Sequence, residues 1–248
     1  MKILQLIILA LSLILINAND CNDHCYNDDD SCTPKCTQPI NSCCDLRVYP
    51  PTRVQSGVYK MYKGPFVGAN IYCDMVTADG GWIVIQRNSK DGPVSFNRNW
   101  REYEIGFGDL CGDFWYGLEA IHGLTKYGQW EMRVDFVKQD GSLSYIHYNQ
   151  FKVGSASEEY KLTVGGYIGG DGDYFTAGNE PPNGRMFTTL DNDNDVWNER
   201  NCADYYKSGW WFYSCFDINP NFQPPHYDSP YIAVNIEVKI HPKSCILG

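Results

Sequence analysis

The chain has 248 residues, a formal net charge of −10 and eleven cysteines, with aromatic residues at 15% and tyrosine the most frequent of them. The acidic balance excludes the basic face that nucleic-acid binding needs, and it argues equally against docking on anionic lipid. It suits solubility and divalent cations, and the length suffices for one domain with a sizeable core.

Lys2 is followed by an almost purely apolar run from Ile3 to Ile16, which closes on Asn17-Ala18. A short positive start, an apolar stretch of this length and a small residue at its end predict a secretory signal peptide over 1–18. Secretion makes disulfides the expected state of the cysteines. Their odd number leaves one thiol over, or bonded to another chain.

Residues 19–43 hold Cys21, Cys25, Cys32, Cys36 and Cys43 in a C-x3-C-x6-C-x3-C-x6-C pattern around the polar stretch Asn27 to Ser31. So small and polar a segment needs cross-links to hold a shape. It reads as an oligomerisation cap joined by interchain disulfides, or as a self-contained knot or loose tail. His24 alone nearby, in an oxidising compartment, argues against zinc.

From Cys44 the pattern becomes mixed α and β. Trp82 to Gln86 predicts a buried strand, and Phe114 to Leu124 a short helix with Leu118, Ile121 and Leu124 on one face. Trp130, Met132, Val134 and Phe136 alternate as in a half-buried strand. Gln139-Asp140-Gly141 predicts a hairpin turn, and Leu143 to Phe151 the returning strand. Tyr160, Leu162 and Val164 alternate again. Val234, Ile236, Val238 and Ile240 alternate with Asn235, Glu237, Lys239 and His241, predicting a last strand with one buried face. Between Gly165 and Tyr231 the chain is rich in Gly, Asp, Asn, Pro and aromatics, the composition of long loops that carry binding sites. Gly165 to Gly172 lacks the Lys-Ser/Thr of a phosphate loop and reads as loop framework. No nucleophile–base constellation and no metalloprotease motif occurs, so the chain is not expected to be an enzyme.

Several stretches together resemble the fibrinogen-related domains: Ser56-Gly57-Val58-Tyr59, Tyr72-Cys73-Asp74-Met75, Gly80 to Arg87, Gly106-Phe107-Gly108, Phe114 to Glu119, Asp191 to Asp195, Asn201-Cys202-Ala203, and Gly209-Trp210-Trp211-Phe212 before Cys215. They stand in the family's order over residues 44–242, leaving 243–248 as a tail. The resemblance implies an α+β fold: a twisted antiparallel sheet with short helices, followed by a loop-rich part with calcium and ligand sites. It also implies disulfides Cys44–Cys73 and Cys202–Cys215. Cys111 and Cys245 lie outside the family pattern, free to pair with each other or for one to bridge chains.

In the run Asp191-Asn192-Asp193-Asn194-Asp195, alternate carboxylates can converge on Ca²⁺, a hard cation that takes six to eight oxygens. Val196 and Cys202 stand where an EF-hand loop needs Gly and Glu, so it is not one. The resemblance implies Ca²⁺ held by the Asp193 and Asp195 side chains and the backbone carbonyls of Trp197 and Glu199, although Asp195 to Cys202 is one residue longer than the family's usual spacing. In lectin-like members such as ficolins and tachylectins, a neighbouring aromatic pocket holds the acetyl group of N-acetylated sugars. Tyr206 matches a pocket tyrosine, Ser214-Cys215 matches a bond that is cis in those lectins, and Phe216 stands where they have His. After Cys215 the family's Asn-Leu-Asn-Gly-x-Tyr stretch is replaced by Ile218 to Phe222 and a Trp-containing segment is missing, so Pro224 to Tyr227 and Tyr231 are expected to line the pocket differently. Trp210 and Trp211 read as core.

The expectation is a secreted, extracellular, calcium-dependent lectin-like protein. It would bind acetylated glycans through disulfide-linked homo-oligomers, without membrane insertion. The alternatives are a ligand of a protein receptor, or an extracellular structural or venom component using the same loops as an interface.

Overall fold

The computed structural model describes residues 35–48, 54–61, 68–228 and 231–245. The expected signal peptide and Cys21, Cys25 and Cys32 lie outside them. The secondary structure is mainly strand: β1 (Lys35–Ile40), β2 (Gly57–Met61), β3 (Asn70–Asp74), β4 (Trp82–Ser89), β5 (Phe107–Gly108), β6 (Phe114–Trp115), β7 (Trp130–Lys138), β8 (Leu143–Val153), β9 (Leu162–Gly170), β10 (His226–Asp228) and β11 (Tyr231–Pro242). Three short helices are α1 (Trp100–Ile105), α2 (Leu118–Thr125) and α3 (Cys202–Tyr206).

The main sheet runs β1-β2-β3-β4-β11-β7-β8-β9, antiparallel except for β1 against β2. β11 is last in sequence but central in the sheet, between β4 and β7. Its Ile236, Val238 and Ile240 meet Ile83, Ile85, Met132 and Val134 in one buried apolar layer, the period-2 result of alternating side chains on a pleated strand.

β11 departs from expectation at both ends: Val234 of the apolar face is 41% exposed, and the far half of the polar face is buried. Lys239 and His241 are only 2% and 5% exposed. Lys239 Nζ lies 2.6 Å from Asp74, 2.9 Å from Asp135 and 3.1 Å from Glu237. Burial alone would lower the Lys239 pKa, but these three carboxylates more than offset it and raise it. A central strand is covered on both faces, and charge pairing replaces solvent on the second.

The predicted helix over 114–124 begins late. Phe114 and Trp115 are strand β6, paired to β4, and the helix starts at Leu118. Gly117, at φ +102°, sits in a backbone region that L side chains rarely enter and separates the two. Gly165 to Gly170 is likewise not loop: it is the outer half of β9, paired through Gly165, Tyr167, Gly169 and Gly170 to β8.

Behind the sheet, an aromatic core joins it to the loops. Tyr103, Trp115, Phe187 and Trp211 pack mutually, with ring centroids 5.0–6.0 Å apart. Trp210 and Trp211 are buried here, as expected. Tyr103 Oη donates to Phe96 O (2.7 Å) and accepts from Gly209 N (2.9 Å). A Cβ on Gly209 would stand 2.6 Å from the Tyr103 ring, so only glycine permits this approach.

The disulfides partly correct the expectation. Cys202–Cys215 forms, but Cys44–Cys73 does not: Cys43 bonds Cys73, and Cys44 bonds Cys245. The two adjacent cysteines sit in one 3₁₀ turn, Cys43–Val48, where successive side chains diverge. Cys43 is fully buried towards β3, whereas Cys44 is partly exposed and meets the turn after β11. The Cys111–Cys245 pairing considered from the sequence is therefore not made.

Candidate functional site

The region from 171 to 228 contains little regular structure, and polar side chains hold it in place. The acidic run divides. Asp191 turns to α1, where its Oδ1 accepts from Trp100 N (2.8 Å) and from the Thr189 hydroxyl (2.8 Å). It thus supports a helix N-terminus already closed by the Asn99–Glu102 capping box. Asn194 turns inward and donates to Phe187 O (2.7 Å). Asp193 and Asp195 remain together.

Asp195 is the anchor of the pair. Its Oδ1 accepts from Trp197 N and its Oδ2 from Cys202 N, both at 2.7 Å. Burial pushes its carboxyl up to about 6; the two N–H donors oppose this, and the Asp193 carboxylate adds to it. Trp197 O accepts from Arg200 N (3.1 Å), and Glu199 is exposed. Two adjacent carboxylates, one half-buried, leave negative charge here with no ion pair to a basic side chain among the described residues, while the Trp197 carbonyl is engaged by Arg200 N. The chemistry of the two carboxylates fits a hard cation such as Ca²⁺.

The Cys202–Cys215 disulfide joins the start of α3 to the segment carrying the ring cluster. Tyr206 meets Phe216 edge-on at 4.9 Å and Phe222 at 5.6 Å. Tyr205, 52% exposed, continues the cluster outward to Trp197 at 5.6 Å. Ser214 faces elsewhere: its N–H and hydroxyl both donate to the Glu180 carboxylate (2.7 and 2.8 Å). The Ser214–Cys215 bond is not cis; among the described residues the cis bond is Gln223–Pro224. Of the expected pocket residues, then, the structure brings Tyr206 and Phe216 together and ties Ser214 to a different loop.

Two further rings complete the cluster, Phe222 and, from the stretch Pro224 to Tyr227 expected near the pocket, His226. Phe222 lies within the loop 219–226, which Asn219 and His226 close by exchanging backbone hydrogen bonds. The His226 ring lies 4.6 Å from Phe222 and 5.9 Å from Phe216. Burial lowers its pKa. Its Nδ1 is 2.9 Å from Pro224 O, an acceptor only, so in the neutral ring Nδ1 carries the proton and Nε2 is an acceptor. The turn is fixed from the sheet. Gln86 and Asn88 of β4 donate to Pro220 O (2.9 and 2.8 Å), and Asn88 also to Phe222 O.

With this geometry in view, comparison with known proteins is decisive. The family of fibrinogen beta and gamma chains, C-terminal globular domain, matches residues 19–232. The protein belongs to the fibrinogen C-terminal domain family. Ryncolin-4 from Cerberus rynchops is 38% identical over 193 residues, 77% of this chain and 53% of the relative. Angiopoietin-related protein 2 from Mus musculus is 43% identical over 164 residues, 65% of this chain and 32% of the relative. The protein thus spans about half or less of these relatives. The fibrinogen-like globe domain of human ANGPTL6 superposes with a TM-score of 0.74 at 32% identity, covering 83% of this chain and 96% of that domain. These likenesses establish a fibrinogen-like globe with a predominantly antiparallel sheet and few helices, consistent with the expected α+β class. Among the described residues no helix is long and apolar enough to cross a membrane.

Proposed function

We propose that this fibrinogen-like domain is a secreted, non-enzymatic recognition module that binds acetylated glycans beside a calcium loop. The observation that carries this reading is the placement of His226. The residue expected to supply an imidazole at position 216 is phenylalanine, yet His226 brings a neutral ring to the same cluster from the following turn. Tyr206, Phe216 and Phe222 offer ring surface to an acetyl methyl, and His226 Nε2 offers an acceptor to the amide N–H. Apolar walls with one placed polar group are the usual composition of such pockets. Ca²⁺, held by Asp193 and Asp195 with the carbonyls of Trp197 and Glu199, would neutralise the loop and hold α3 in register with the cluster. Single sites of this kind bind weakly, so avidity through disulfide-linked oligomers is part of the proposal.

The test is retention on N-acetylglucosamine resin with calcium and elution by free sugar or EDTA. His226→Phe is expected to abolish retention while leaving calcium uptake intact. Retention unchanged in that variant would reject the pocket. A second reading, a ligand for a protein receptor, draws support from the relatedness to angiopoietin-related protein 2. Arg200 over Tyr205 (5.3 Å) and Trp197 (5.9 Å) gives the outer edge of the cluster the Arg–aromatic character of protein interfaces. Calcium-loaded protein that ignores the resin would favour it.

A further inference from the structure

The Cys44–Cys245 disulfide differs in its surroundings from the other two. Cys43, Cys73, Cys202 and Cys215 are all buried, at 9% exposure or less, whereas Cys44 is partly open to solvent. Each sulfur of the Cys44–Cys245 pair also has its own nitrogen neighbour, and the one beside Cys245 is the Arg47 guanidinium. His241 Nε2 is 3.5 Å from Cys44 Sγ. Arg47 Nη1 is 3.7 Å from Cys245 Sγ and 3.3 Å from the same residue's carbonyl.

The imidazole is itself held. Its Nδ1 lies 2.9 Å from Glu131 Oε1, and Glu131 Oε2 is 3.0 Å from His147 Nε2. Trp82 packs against both His241 (5.0 Å) and His147 (5.7 Å). A carboxylate behind an imidazole fixes the ring's orientation and aims the other nitrogen at the sulfur.

We infer that Cys44–Cys245 is a thiol–disulfide exchange site, which a dithiol opens in preference to the other two described disulfides. Exchange rates depend on access to the attacked sulfur and on the stability of the departing thiolate. Both conditions meet here. A thiolate of the dithiol attacks Sγ of the partly exposed Cys44. The S–S bond breaks and its electron pair leaves on Cys245 Sγ, beside the Arg47 guanidinium. The second sulfur of the dithiol then attacks the mixed disulfide and expels the Cys44 thiolate beside His241. The dithiol is oxidised to a disulfide, the protein disulfide is reduced by two electrons, and the two protons of the dithiol end on the cysteines. Opening releases the turn after β11 from the 3₁₀ turn that follows the cysteine-rich segment.

The experiment uses the full-length protein under native conditions with limiting dithiothreitol, quenching with N-ethylmaleimide and mapping of labelled peptides by mass spectrometry. Cys44 and Cys245 are expected to label about tenfold faster than Cys43, Cys73, Cys202 and Cys215. Arg47→Gln is expected to slow that opening several-fold and leave Cys202–Cys215 labelling unchanged. His241→Gln is expected to act in the same direction, and Arg47→Gln stands alone should that buried substitution unfold the protein. Opening of Cys202–Cys215 first, or wild-type rates in a folded Arg47→Gln protein, would overturn the assignment.

Discussion

The sheet and the loop region at 171–228 are held by different forces. In the sheet, aliphatic side chains from β4, β7 and β11 leave water together, and hydrogen-bonded ladders follow. In the loop region, rings pack on rings, but the backbone path is set by single polar contacts: Asp191 on α1, Asp195 on two amides, Glu180 on Ser214, and Gln86 and Asn88 on Pro220. The lesson is that the sheet owes its shape to area, the loops to address. An address can be deleted one atom at a time.

The largest effect is expected where the sheet breaks its own rule. Lys239→Ala strands three carboxylates around a buried void and should cost about 3–5 kcal/mol in denaturant unfolding, whereas Lys239→Met should be far milder. Next comes the staple of the loops. Replacing Cys202 and Cys215 by serine should remove roughly 3 kcal/mol, the chain-entropy value for a loop of this size. Hydrogen exchange should rise across 191–216 and stay unchanged in β7 and β11, since a local tie constrains a local unit. Uniform loss of protection would show that the two regions unfold as one. Asp195→Asn should weaken calcium uptake measured by calorimetry by about tenfold or more, ~1.4 kcal/mol, with the sheet untouched.

The smallest effect is acid. Burial would raise Glu131, but His147 and His241 more than offset it and hold its carboxyl at about 2, below the ordinary 4.5. A depressed carboxylate stabilises the fold above its unfolded value and loses that contribution as pH falls towards the folded one. Melting temperature should therefore decline between about pH 4.5 and 2, and Glu131→Gln should flatten that decline.

Legibility in the sequence follows the same division. Strands β7 and β11 are readable because apolar and polar residues alternate along them, β4 because it opens on the continuous apolar run from Trp82, and β8 because Gly141 marks the hairpin that returns it. Burial of Lys239 and His241 is not readable, since its cause lies in Asp74, Asp135 and Glu131, supplied from strands distant in sequence. The Cys44–Cys73 expectation fails for a related reason: spacing cannot tell which of two adjacent cysteines points inward. Asp193, Asp195, Tyr206 and Phe216 are visible as a motif, but Asp191 looks identical to its neighbours and serves α1. His226 is legible only as part of the stretch Pro224 to Tyr227 expected near the pocket; that its ring meets Phe216 and Phe222 is not, because they reach it only once the turn at 219–226 closes.

The central position of β11 bears on how the molecule is made. During vectorial synthesis, β4 and β7 emerge long before the strand that will lie between them, so each presents an open hydrogen-bonding edge while the ribosome works through about a hundred further residues. The nascent polypeptide must keep those edges from mispairing, and the last strand then zips two half-sheets into one in a single late step of high sequence separation.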